Sequence, residues 1–239
     1  MKSNISKNYL LFTSIISLIF ILNIKCAKTD DVETIVLNNG TSNNDSTSVT
    51  IADDTVYINS TISGFILNEV LYDPPAGDAG DANQDGIRDP KKDEFVEFVN
   101  CTDSCINLSG CKIFDTEYLN LGTPNHEFPE NTFINPNQAV VVFGGPQDST
   151  FNSASFGNSL VFSSSNVVMN LNNGGDIMTF TDNSGNILIE FDILQHPPTG
   201  NSVDQSYTRS PDLTGDFVQH GTVSANLFSP GTKADGSSF

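Results

Sequence analysis

Apolar and polar positions divide the chain into short extended segments from Gly64 onward. Residues 65–72 (FILNEVLY) are rich in strand-forming side chains and stop at Asp73-Pro74-Pro75. Residues 94–100 (EFVEFVN) read as a second strand, as do 108–114, 138–143, 159–163 and 167–171. The strongest local signal is residues 176–181 (DIMTFT), the polar turn Asp182-Asn183-Ser184-Gly185, and residues 186–192 (NILIEFD). Two apolar runs around four turn residues predict a hairpin. Residues 206–209 and 217–218 predict short edge strands. No window keeps a 3.6-residue apolar period for three turns, which argues against helices. Many short strands punctuated by Gly, Pro and Asn predict an all-β antiparallel sandwich or barrel.

The first 63 residues follow another pattern. Lys2 and Lys7 precede an apolar run over residues 9–22, the arrangement of an export signal. The run is shorter than the roughly 20 apolar residues that span a bilayer. It ends at Asn23-Ile24-Lys25-Cys26, and the order apolar run, Cys, polar stretch resembles a bacterial lipoprotein signal. That resemblance implies a signal peptide over residues 1–25 and Cys26 as the lipidated first residue of the mature chain. An uncleaved anchor and plain secretion are the alternatives, and all three place the remainder outside the cytoplasm, on the membrane of the bacterial envelope if a lipid or anchor is kept. Residues 26–63 read as a tether, polar over 27–48, with a loose strand at 49–58. Its Asp, Asn, Ser and Thr bury too little surface to offset ordering entropy. Residues 64–239 remain for the folded domain.

Composition narrows the partners. The 239 residues carry a net charge of −19, and removing residues 1–25 takes away three lysines and no acid, leaving −22. Ten Lys and Arg cannot build the basic face that duplex phosphate contacts require, which argues against nucleic acid as a partner. The same charge argues against docking on anionic headgroups. Divalent cations and basic partners stay open. A hydrophobic content of 37% suffices for a core.

Several landmarks occur in a recognisable order: Ile66-Leu67-Asn68-Glu69-Val70, the acidic loop at 80–86, residues 93–100, Ile106-Asn107-Leu108-Ser109-Gly110, Phe128-Pro129, and residues 134–144. They continue with residues 171–177, 182–187, Gln205 to Pro211, Gly215 to His220, and Phe228 to Gly236. Across residues 64–239 this order resembles the bacterial lamin tail domain. The resemblance implies an immunoglobulin-like antiparallel β-sandwich, a module of secreted or surface proteins that often accompanies nucleases or phosphoesterases. Many members read Leu-Ser-Gly-Trp where this chain has Leu108-Ser109-Gly110-Cys111. Cys111 is therefore expected in the core, with some of the 17 Phe filling the volume of the missing Trp.

The acidic loop carries the sharpest candidate chemistry. Asp81, Asn83, Asp85 and Asp89 place side-chain oxygens at the spacing of an EF-hand loop, Gly86 supplies the turn, and Ile87 offers a backbone carbonyl. Lys92 stands where the bidentate Glu belongs, so Asp93 and Glu94 are expected to close the site at a shifted offset, with Asp78 contributing. Ca²⁺, which takes six to eight hard oxygens, is the expected structural cofactor. The competing reading is an Asx-rich turn that binds nothing.

Three cysteines remain once Cys26 is assigned to lipid. Cys101 and Cys105 bracket a predicted turn, so a 101–105 disulfide is expected with Cys111 as a buried thiol; a 101–111 bridge is the alternative. His126, His196 and His220 are far apart and read as turn or edge residues. No Gly-x-Ser-x-Gly elbow occurs. Asp204, Arg209 and Asp212 are expected to form a structural ion-pair cluster. Glu94 and Glu97 are three apart in a strand, hence on opposite faces, which does not suit acid/base work. No catalytic residue is assigned. The leading expectation is a non-enzymatic, lipid-anchored envelope protein that binds a protein or glycan ligand. An accessory metal-dependent hydrolase or nuclease-associated module is the alternative.

Overall fold

The computed structural model describes residues 64–145, 151–196 and 204–239. The signal, Cys26, the tether and the strand expected at 49–58 lie outside the described residues. The described residues contain twelve strands: β1 (Phe65–Leu71), β2 (Phe95–Asn100), β3 (Ile106–Asn107), β4 (Lys112–Phe114), β5 (His126–Glu127), β6 (Phe133–Ile134), β7 (Ala139–Phe143), β8 (Leu160–Ser163), β9 (Ile177–Thr181), β10 (Ile187–Asp192), β11 (Tyr207–Ser210) and β12 (Asp216–Gln219). They form a six-stranded sheet in the order β12-β11-β1-β2-β7-β8, a four-stranded sheet β10-β9-β4-β5, and the pair β3-β6. Every pairing is antiparallel except that of β7 with the edge strand β8, which is parallel. The sandwich and the hairpin of β9 and β10 are as the sequence leads one to expect.

The main core lies between the two large sheets. Phe65, Leu67 and Val70 of β1, Val96 and Phe98 of β2, and Val140 and Val142 of β7 meet Ile113, Met178, Phe180 and Phe191 from the opposing sheet. Phe98 is central: its ring centroid lies 5.2 Å from Phe65 and 5.1 Å from Phe180. Strict alternation would place positions 65, 67 and 69 on one face. A register shift between Leu67 and Glu69 changes the phase, so Val70 faces the core and Glu69 turns away. Cys111 and Leu108 join the core, as expected from the missing Trp.

The outer face of the six-stranded sheet is also covered. Leu71, Phe95, Val141 and Phe143 pack there with Ala82 of the acidic loop and Phe156, and Phe228 from the C-terminal segment lies against them. A sheet buried on both faces explains the uninterrupted apolar run of β7, in which all five residues are buried.

Two local elements differ from expectation. Residues 167–171 form no strand; the Met169 N–H donates to Gly144 O and the Leu171 N–H to the Glu94 side chain, so this run hydrogen-bonds without a partner strand. Thr116–Leu121 forms one short helix, α1. Asp115 caps it by accepting the Tyr118 N–H at 2.8 Å, and Gly122 closes it at a φ of 69°. Six residues are too few for a helical period to show in the sequence.

Candidate functional site

The acidic loop joins β1 to β2. A 3-10 turn at Asp78–Gly80 opens it, and the chain then folds around its own carboxylates. Asp81 accepts the Asp85 N–H at 3.1 Å and the Gly86 N–H at 2.9 Å. Asn83 Oδ1 accepts the Asp85 N–H at 2.9 Å, and Asp85 Oδ1 the Ile87 N–H at 2.8 Å. Gly86, at a φ of 88°, provides the left-handed residue that this winding requires. Asp93 closes the loop, accepting the Asn83 N–H at 3.0 Å and the Asp89 N–H at 2.6 Å. Arg88 pins the base through the carbonyls of Pro74 and Pro75.

Electrostatics distinguish its members. Burial pushes the Asp93 carboxyl up, and the charges of Asp81 and Asp85 push it further, against the two N–H bonds it accepts. The Lys92 N–H foremost holds Asp89 below the usual carboxylate range. Thus Asp81, Asn83, Asp85, Asp89 and Asp93 are drawn into one hydrogen-bonded loop. Asp78 is exposed in the opening turn and the Ile87 side chain is exposed at the tip. Glu94 is not brought to the loop: it is buried, and its Oε2 accepts the Leu171 N–H at 2.9 Å. Among the described residues no group of three or more His, Cys, Asp or Glu side chains is gathered as a metal centre. The carboxylates are turned toward backbone N–H groups, as in an Asx-rich turn.

The expected 101–105 disulfide does not form, because Cys101 is a free thiol. Asn100 organises the intervening turn: its Nδ2 donates to Ser104 O at 2.8 Å and its Oδ1 accepts from the N–H and hydroxyl of Thr102. Cys101 Sγ turns toward Val99 O, whereas Cys105 Sγ lies near Asn135 on the other side of the turn. Cys111 is free and buried, and burial foremost pushes its thiol up to about 11.

The expected Arg209 ion pair is also replaced. Arg209 donates from Nε to Leu67 O and from a terminal nitrogen to Gly215 O, both at 2.7 Å. Asp212 instead accepts from Asn68 and from the Ala234 N–H. The one ion pair among the described residues joins Lys112 and Glu127 at 4.0 Å.

A polar cluster that sequence reasoning missed lies on the outer face of the six-stranded sheet. Glu69 and Glu97 are direct partners across β1 and β2, and neither has any exposure. Glu69 accepts from Ser206 Oγ at 2.6 Å, from the Ser229 N–H at 2.8 Å and from Ser229 Oγ at 2.6 Å. Glu97 accepts from Asn68 Nδ2 at 3.0 Å and from the Gly231 N–H at 2.6 Å. His220, fully buried, sits between Asn226 O and Ser229 Oγ, each 2.9 Å from a ring nitrogen. It stands in the 3-10 turn that follows the edge strand β12, as expected of a turn or edge residue, but its ring is buried in this network. The available sequence signal was a lone acid inside each of two apolar runs, 67–71 and 95–99. Glu94 and Glu97 do fall on opposite faces.

The family model of the lamin tail domain matches residues 58–195. This chain belongs to the lamin tail domain family. The match spans β1 to β10, while β11 and β12 lie beyond it and complete the six-stranded sheet of this lamin tail domain. Among curated proteins no match is found.

Proposed function

We propose that the protein is a non-enzymatic module of the bacterial cell envelope, held at a membrane by lipid on Cys26 and presenting its lamin tail domain on a polar tether to a protein or glycan ligand. The observation that carries this reading is the burial of the acid–base cluster on the outer sheet face. Glu69, Glu97 and His220 all have no solvent exposure, so while residues 226–234 are seated on the sheet no substrate reaches them. The export-type N-terminus supports the location. Labelled fatty acid should enter the wild-type chain in growing cells and not a Cys26→Ser variant, which should leave the membrane fraction. Equal labelling and membrane retention of the variant would overturn the anchor.

We further propose that the acidic loop takes up Ca²⁺ as a structural ion through Asp81, Asn83, Asp85 and Asp89, with Asp93 and the Ile87 carbonyl as neighbours. The alternation of oxygens around Gly86 supports this. Turning the carboxylates from backbone N–H groups to a cation is the rearrangement it requires. The competing metal-dependent hydrolase is tested by phosphodiesterase turnover: activity abolished in Asp81→Ala and Asp85→Ala would replace the non-enzymatic reading.

A further inference from the structure

We propose that residues 226–234 form a releasable strap, seated on the outer face of the six-stranded sheet by Glu69 and Glu97, and that ionisation of this facing pair lifts it to uncover Phe95 and its apolar neighbours. The strap contains no strand; its bonds to the sheet edge are the Ser206 N–H to Leu227 O at 2.8 Å and the His220 ring to Asn226 O and Ser229 Oγ, and the rest of its hold is on the outer face. Glu69 accepts the Ser229 N–H and hydroxyl, and Glu97 accepts the Gly231 N–H. Asp212 takes the Ala234 N–H at 3.3 Å, and Ser159 Oγ donates to Gly231 O at 3.1 Å. The strap inserts one aromatic anchor, Phe228, whose ring meets Phe95 edge-on at 6.4 Å. Beneath lie Leu71, Val141 and Phe143.

Two carboxyls opposite each other in register repel when both are charged. No Lys or Arg among the described residues pairs with either. The titratable groups facing the pair are His220, beyond Ser229, and Asp212, which shares Asn68 with Glu97. His220 favours charge on Glu69, while Asp212 opposes charge on Glu97. Burial pushes both carboxyls up, Glu97 well above the ordinary range, and Glu69 pushes Glu97 further. A raised carboxyl favours the seated state below its unfolded pKa near 4.5, and that preference is lost as pH rises through the folded value. Water reaching the pair relieves both repulsion and desolvation, and the strap is what keeps water out.

Gly231 sets how closely the strap lies. Its φ is 85°, and a Cβ there would meet Phe156 O at 2.2 Å, so Gly231→Ala wedges the strap away from the sheet.

The test is amide exchange at Ser229 and Gly231 in the full chain, expressed as protection over intrinsic exchange from about pH 5 to about pH 9. Protection should fall about tenfold for each pH unit through which the pair ionises, while β2 and β7 amides keep theirs. Glu97→Gln, neutral at every pH, should hold strap protection level. Gly231→Ala should show low protection and raised binding of an apolar dye at all pH values. Constant protection in the wild type overturns the proposal. So does an equal fall in Glu97→Gln, or a fall shared by the whole sheet. If Glu97→Gln fails to fold, the carboxyl carbon resonance of Glu97 in the wild type decides: titration below pH 5 overturns the proposal, and titration in step with loss of strap protection supports it.

Discussion

The guanidinium of Arg209 lies 4.4 Å above the ring centre of Phe217 while donating to the carbonyls of Leu67 and Gly215. Its cross-strand partner in β12 is the same Phe217. The bond to Leu67 O falls at the register shift of β1, so this side chain satisfies a backbone group that the ladder leaves open.

Replacing Arg209 with Ala should destabilise the domain by about 2 kcal/mol, from the stranded carbonyls and the lost ring contact. Arg209→Lys should recover only part, because an ammonium lacks the planar fork that reaches two carbonyls at once. Chemical denaturation of the three proteins measures this, with equal midpoints counting against it.

His126 should confer acid sensitivity. Burial drops its pKa from 6.5 to about 4, against the opposing pull of the Ser163 backbone. A base with a depressed folded pKa contributes stability above its unfolded pKa, lost as pH falls from about 6.5 to about 4, an effect on the order of 3 kcal/mol. The raised carboxyls of Glu94 and Glu97 act in the opposite sense, so the comparison that isolates His126 is with His126→Phe. Phe128 and Phe162 already flank the ring at 4.6 and 5.4 Å. The variant should lose less stability on acidification than the wild type; parallel pH curves would refute the assignment.

Millimolar Ca²⁺ should raise the melting temperature of the full chain and chelator should reverse the gain. Asp81→Asn should remove the response while keeping part of the turn, since its single amide oxygen can still accept one of the two N–H groups, Asp85 or Gly86, that the two carboxylate oxygens share now. An unchanged melting curve leaves the Asx-rich turn as the whole account of the loop.

Cys111→Trp, which restores the residue common in the family, should destabilise this chain by about 1–3 kcal/mol through overpacking. Cys111 is 4% exposed in a core already holding Phe65, Phe98, Phe128 and Phe180. Thermal unfolding checks it, and a rise in stability would mean that the cavity of the missing Trp was never filled.

The strands, the hairpin and the core position of Cys111 were legible because each rests on local pattern: period-two apolar runs, a four-residue polar turn, a known motif with one altered position. What was not legible was set by distant partners. Residues 167–171 are as apolar as a strand, yet Glu94 and Gly144 take their N–H groups. The bracket of Cys101 and Cys105 suggested a bridge, but the amide of Asn100 had organised the turn already. Glu69 and Glu97 resembled ordinary solvent-facing acids of two half-buried strands. Ser206, Ser229 and Gly231, more than 130 residues away in the chain, make them interior.

The closure of β1 carries a consequence for biosynthesis. This strand begins the described domain, yet one of its two neighbours is β11, and its Glu69 waits for Ser206 and Ser229, 137 and 160 residues downstream. Contacts so distant in sequence are slow to form, because the loop entropy is met before they contribute. The sheet therefore cannot complete until the chain has been synthesised through Ser229. For a chain proposed to leave the cytoplasm, that delay keeps it threadable through a translocation channel, and stable folding is deferred to the far side.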